Sequence, residues 1–268
     1  MASASRWTRV FKHKGCVKLG WCMTGSALNT EALTTAGFDA VVVDCQHGAA
    51  GVGSEAALNC LRTISLSNGV VPVARAPAAN AGGVDAPAVG WLLDAGAQAI
   101  IAPLIHTPQQ ASAFVRACYF PNELHGVKGC RSWGEFSSLN RGEMTGRGVL
   151  TMAMIETDVA QDVETLDKIA STPGLDALFI GTNDLALSLG LGTSALVDRD
   201  EVILQAIENI YSAARKHALK VGLFCPPTDA GQWSMTRNGY LGGMDIVAPG
   251  ADVIYLRSAA VAAAAEIR

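Results

Sequence analysis

Five side chains of the kinds that perform acid–base and carbanion chemistry stand at or within four residues of the end of an apolar run in this sequence. Asp44 and His47 close "VVVDCQHGA" (41–49), Arg75 closes "VPVAR", Glu156 closes "MAMIE", and Asp184 follows in "LFIGTND". A carboxylate near an imidazole can fix one ring tautomer, and an imidazole titrates near neutral pH. A guanidinium supplies a positive charge that does not titrate away. Glu156 and Asp184 lie 28 residues apart, one strand–helix unit, so adjacent strands would bring the two acids together. Paired carboxylates share a proton or bind a cation, and a hard divalent ion with oxygen ligands is the simpler solution.

Each residue also has a plainer use. Asp44 can cap the turn that follows it, His47 can be a surface loop residue, and Arg75 can be an ordinary ion-pair partner of Asp44. In "IGTNDLALSLG" the backbone N–H groups of Gly181, Thr182 and Asn183 can hold a carboxylate or phosphate. The same residues also fit a plain strand-to-helix turn.

The elements that must position these groups recur regularly. Apolar strand candidates fall at 16–22, 38–44, 70–74, 99–104, 149–155, 176–180, 220–224 and 245–248. Several are continuous apolar runs, the pattern of strands covered on both faces. Helical patterns lie between them at 29–36, 54–67, 84–95, 108–118, 160–171 and 199–217, with an alanine-rich helix at 256–267. Thr107 before Pro108 has the pattern of an N-cap with proline at the first helical position. About eight strand–helix alternations predict a single (β/α)8 TIM barrel, with a doubly wound open sheet as the other arrangement to consider. In such a barrel catalytic groups come from the carboxyl ends of the strands, where all five residues fall. The longest irregular stretch, 119–148, is a loop of functional length.

Composition narrows the classes. Half of the 268 residues are hydrophobic and 16% are charged, enough for a large core and against disorder. A net charge of −4 without a basic run gives no support for nucleic acid or a membrane surface as partner. Seven cysteines without a CxxC or ligand spacing fit free thiols in a reducing compartment. No apolar stretch approaches the ~20 residues of a membrane helix. The basic, acid-free start (1–15) resembles a presequence, but Trp7, Val10 and Phe11 at helical spacing equally predict a short covering helix, which leaves a cytoplasmic location as the default.

With these segments in place, the chain resembles the HpcH/HpaI family of divalent-metal-dependent pyruvate aldolases from about residue 17 to 260. The resemblance rests on "VVVDCQHGA", "VPVARAP", "LLDAGAQAIIAPLIHTPQQASAFV", "GCRSWG", "MIET", "LFIGTNDLALSLG" and "GMDIVAPGADV", in the family's order. It implies a barrel of the phosphoenolpyruvate/pyruvate-binding type, a last helix exchanged between subunits, and a homohexamer. It implies a divalent ion (Mg, Mn or Co) on Glu156 and Asp184, Arg75 at the ketone oxygen, and His47, oriented by Asp44, on the base path. The N–H groups of Gly181, Thr182 and Asn183 would receive the pyruvate carboxylate.

The chain departs from the family in having Met154 where many members carry glutamine, and in the length and detail of 119–148. The reaction implied is reversible cleavage of a 4-hydroxy-2-oxo acid to pyruvate and an aldehyde. The rivals are an acyl-CoA lyase of the malyl- or citramalyl-CoA kind and a non-catalytic barrel that binds a keto acid. No lysine ends a strand to form a Schiff base.

Overall fold

The computed structural model describes residue 11 and residues 15–79, 82–121, 128–132, 149–234 and 243–267. Its eight strands are β1 (Val17–Cys22), β2 (Ala40–Asp44), β3 (Val71–Arg75), β4 (Ala99–Ala102), β5 (Leu150–Ile155), β6 (Ala177–Ile180), β7 (Lys220–Phe224) and β8 (Ile246–Ala248). All neighbours pair in parallel, and β8 returns to β1, so the sheet closes into the expected barrel rather than an open doubly wound sheet. The main helices are α1 (Ala27–Thr35), α2 (Glu55–Leu66), α3 (Ala86–Asp94), α4 (Pro108–Cys118), α5 (Val163–Ala170), α6 (Thr182–Ser188), α7 (Glu201–Lys216), α8 (Ala230–Ser234) and α9 (Asp252–Ala265).

The strands form because their side chains are buried on both faces. Inward residues such as Leu19, Val42, Val73, Ile101, Met152 and Phe179 fill the barrel, while Val41, Val43, Ala74, Ile100, Ala153 and Leu178 pack outward under the helices. The period of two carries through each strand exit. Thus Ala40 and Val42 place Asp44 inward, Val71 and Val73 place Arg75 inward, and Met152 and Met154 place Glu156 inward.

Helix ends follow the local chemistry. Thr107 and Gln110 form a reciprocal capping box at α4, with proline in the first turn. Asp200 caps α7 through the Val202 N–H. The last helix begins at Asp252, four residues before its alanine-rich stretch suggested. Asp252 itself explains the difference, because its carboxylate accepts the backbone N–H groups of Met23 (2.8 Å) and Thr24 (3.3 Å) and ties α9 to the exit of β1. The expected N-terminal covering helix lies outside the described residues apart from Phe11. Of the 119–148 segment, 122–127 and 133–148 also lie outside them.

All seven cysteines are free, five of them buried. Among the described residues no helix is long and apolar enough to cross a membrane.

The barrel interior is tight at Gly222, where a Cβ would lie 2.7 Å from Phe179 Cδ2 and 3.0 Å from Ile246 Cβ. Gly222→Ala should therefore lower stability by about 1–3 kcal/mol, the cost of overpacking. Denaturant unfolding checks this, and an unchanged midpoint would contradict the packing described.

Candidate active site

β2 and β3 pair so that Asp44 and Arg75 are register partners, both inward and both buried. Arg75 grips the carboxylate with two donors, Nε to Oδ1 at 3.0 Å and Nη2 to Oδ2 at 2.5 Å. The Trp21 indole donates to Oδ2 at 3.0 Å, and the guanidinium stacks 5.2 Å from the Trp21 ring centroid. Oδ1 also accepts the backbone N–H groups of Gln46 (2.9 Å) and His47 (3.1 Å). Burial pulls the Asp44 carboxyl upward, but the Arg75 guanidinium, the indole and the backbone donors outweigh it and hold it below the usual range.

The sequence suggested that Asp44 orients the imidazole. In the structure Asp44 binds the His47 backbone instead, so it shapes the turn that carries His47. The imidazole is exposed at the cavity edge and makes no hydrogen bond to a described residue. The turn is tight: a Cβ on Gly48 would lie 2.2 Å from the Asp44 carbonyl oxygen, so only glycine fits.

Glu156 is buried at the exit of β5. Its Oε1 accepts the backbone N–H of Leu104 at 2.8 Å, whereas Oε2 is buried with no hydrogen-bond partner. Burial raises its carboxyl to about 7; the nearby Asp184 carboxylate adds to the rise, while the Leu104 N–H and Arg75 oppose it. Asp184 stands in the first turn of α6, one strand over.

Gly181, between them, has no side chain for a steric reason: a Cβ there would lie 2.3 Å from Glu156 Oε2 and 3.0 Å from Met154 Cε. The Gly181 N–H is donated to the Ile155 carbonyl at 3.3 Å, so it is not among the donors open to a ligand. Thr182 Oγ1 donates to the Phe224 carbonyl at 2.8 Å and ties the exits of β6 and β7 together.

These groups share one cavity of about 280 Å³. His47, Arg75, Glu156, Thr182, Asn183 and Asp184 line its polar part, with Trp21, Met23, Met154 and Phe224 as apolar walls. All the candidate residues read from the sequence thus converge, apart from Asp44, which lies beneath Arg75. Sequence reasoning missed Trp21, Met23 and Phe224, although Trp21 continues the inward period of β1. It also missed Leu104, which acts through its backbone and leaves no signal in residue type.

Among the described residues no third His, Cys, Asp or Glu joins the two acids. A pair of carboxylates with one buried, unpartnered oxygen fits an oxygen-preferring ion that keeps several water ligands. It does not fit a tetrahedral zinc site.

A closed parallel barrel that gathers an arginine, two acids and a histidine at its strand exits has the TIM-barrel architecture, in which catalytic groups occupy that face. The chain matches the model of the HpcH/HpaI aldolase/citrate lyase family over residues 19–241 and belongs to that family, which makes it a carbon–carbon lyase. It is 34% identical over 256 residues to a hydroxypyruvate/pyruvate aldolase of Rhizorhabdus wittichii, covering 93% of each chain. It is 30% identical over 224 residues to a 4-hydroxy-2-oxovalerate aldolase of Rhodococcus jostii, covering 82% of this chain and 81% of that one. Its backbone resembles the crystal structure of a family protein from Burkholderia cenocepacia with a TM-score of 0.82, at 27% identity over 98% of both chains.

The raised Glu156 carboxyl has a signed consequence for stability. Its neutral form is favoured in the folded state, so stability present below about pH 4.5 is lost as pH rises to about 7. In chelator-treated protein, Glu156→Gln should therefore gain about 2–3 kcal/mol relative to the parent on going from pH 5 to pH 8. Urea titrations at the two pH values measure it, and a difference independent of pH would refute the assignment.

Proposed function

We propose that the enzyme is a divalent-metal-dependent aldolase that reversibly cleaves a 4-hydroxy-2-oxo acid to pyruvate and an aldehyde. The observation that carries this reading is the buried, unpartnered Glu156 Oε2, on a residue that lines one cavity together with Asp184 and Arg75. The names borne by the relatives, aldolases of hydroxypyruvate/pyruvate and of 4-hydroxy-2-oxovalerate, support it.

Glu156 and Asp184 are the residues that would hold the ion (Mg, Mn or Co). When bound, it supplies Lewis-acid neutralisation of the negative charge that C3–C4 cleavage leaves on the pyruvate enolate. Arg75 adds a fixed positive charge at the same oxygen. It is pre-aimed, because Asp44 grips one edge of the guanidinium and Trp21 stacks on it. The first-turn N–H groups of Thr182 and Asn183 receive the pyruvate carboxylate. His47, at the open edge of the cavity, takes the C4 hydroxyl proton as cleavage proceeds and returns it in the synthetic direction.

Trp21, Met23, Met154 and Phe224 exclude water from this end of the cavity. Met154 cannot hydrogen-bond the substrate as an amide would, so binding falls more heavily on Arg75 and the α6 N–H groups. The proposed assembly is a homohexamer with α9 exchanged between subunits. It is supported by Leu256 and Val261 on α9, 64% and 63% exposed in the single chain.

Two experiments bear on this reading. A chelator should abolish pyruvate release from a 4-hydroxy-2-oxo acid, and added Mg²⁺ or Mn²⁺ should restore it. Cleavage that survives the chelator, together with trapping of substrate by borohydride, would instead indicate Schiff-base chemistry. Separately, Glu156→Ala should lose both Mn²⁺ binding and activity, whereas His47→Ala should keep Mn²⁺ binding and slow cleavage by ~10²-fold or more. Full Mn²⁺ affinity in Glu156→Ala would reassign the ligand.

A further inference from the structure

Leu104 is in the left-handed region at φ 52°, one of three described non-glycine residues with positive φ. For a bulky residue this conformation is costly and persists only where the surroundings impose it. The peptide groups of Leu104 show what is imposed. Its N–H points to Glu156 Oε1 at 2.8 Å, and its carbonyl accepts from the Gly83 N–H at 3.2 Å and lies 3.0 Å from His106 Nδ1.

The tautomer of His106 follows from its neighbours. Gln110 Oε1 accepts two backbone N–H groups, from His106 (2.9 Å) and Thr107 (3.1 Å), so the other end of that amide is its NH₂. That NH₂ lies 3.3 Å from His106 Nε2, which must therefore accept. The proton then resides on Nδ1 and is donated to the Leu104 carbonyl. Gly82 packs on this arrangement, where a Cβ would lie 2.5 Å from His106 Cε1 and 2.9 Å from the Leu104 oxygen.

We propose that His106, fixed by Gln110, is a positioning residue that locks the left-handed Leu104 peptide, so that its N–H holds Glu156 Oε1 and leaves Oε2 without a partner beside Gly181. His106 does not line the cavity, and its effect reaches the site only through the Leu104 backbone and Glu156. The consequence for metal binding rests on the proposed role of Glu156, whereas the backbone consequence does not.

The test compares His106→Phe, which keeps a ring but no donor, with His106→Asn, which keeps a donor near the Nδ1 position. In crystal structures of the metal-free variants, His106→Phe should release the Leu104 N–H from Glu156 Oε1, and His106→Asn should retain that contact. By calorimetry, His106→Phe should weaken Mn²⁺ binding about 10-fold or more, the usual scale for an outer-shell partner. His106→Asn should stay within about twofold of the parent, a rescue that a merely structural role would not produce.

A glycine at 104 adopts the left-handed conformation without penalty. In a Leu104→Gly background, the loss caused by His106→Phe should therefore shrink to about threefold or less. Should His106→Phe fail to fold, Gln110→Met removes the partner that sets the tautomer, and the same two measurements apply. An intact Leu104–Glu156 contact in the folded variant lacking the His106 donor or the Gln110 partner overturns the proposal. If the parent binds no Mn²⁺, the metal reading of Glu156 fails, while the crystallographic comparison still decides the role of His106.

Discussion

Arg75 can stand at the end of an apolar barrel only because Asp44 stands beside it in register. Removing a guanidinium and a carboxylate from water costs several kcal/mol for each ion, and the loss is offset only when geometry is good and the remaining polar atoms are satisfied. Here both carboxylate oxygens are used. Each accepts from Arg75, one also takes the Trp21 indole N–H, and the other takes the N–H groups of Gln46 and His47. One buried pair therefore fixes the arginine, orients the tryptophan wall and folds the turn that presents His47.

The same rim drives its two buried acids in opposite directions. Asp44, surrounded by donors, is held ionised, whereas Glu156, buried with one backbone donor and a second carboxylate nearby, is pushed up to about 7. Paired acids with diverging environments mark a division of labour between them. Asp44 is a permanent counter-charge for Arg75. Glu156 is held in a state that a proton or a cation relieves.

Much of this was legible from the residues. Strands buried on both faces must be continuously apolar, so β1 to β8 were found to within two residues at every end, and their carboxyl ends, where a TIM barrel carries its chemistry, placed Arg75 and Glu156 at the cavity. The role of Asp44 was not legible, because a spacing of three residues suits a capped turn as well as a carboxylate–imidazole pair. Nor was the grip on Glu156, which comes from the backbone N–H of Leu104 and is not written in that residue's side chain. The start of α9 was placed late because its alanine run hid the first turn, whose purpose is set by contacts with residues 229 positions away in sequence.

That last contact bears on how the protein is made. Met23 forms a wall of the cavity, and its backbone is held by Asp252 at the opposite end of the chain. During synthesis the first strands leave the ribosome long before their final partner exists, and such long-range closures form slowly. The Met23 part of the cavity wall is thus not pinned until α9 has been translated. A nascent or prematurely terminated chain would carry Asp44, Arg75, Glu156 and Asp184 without the contact that pins Met23.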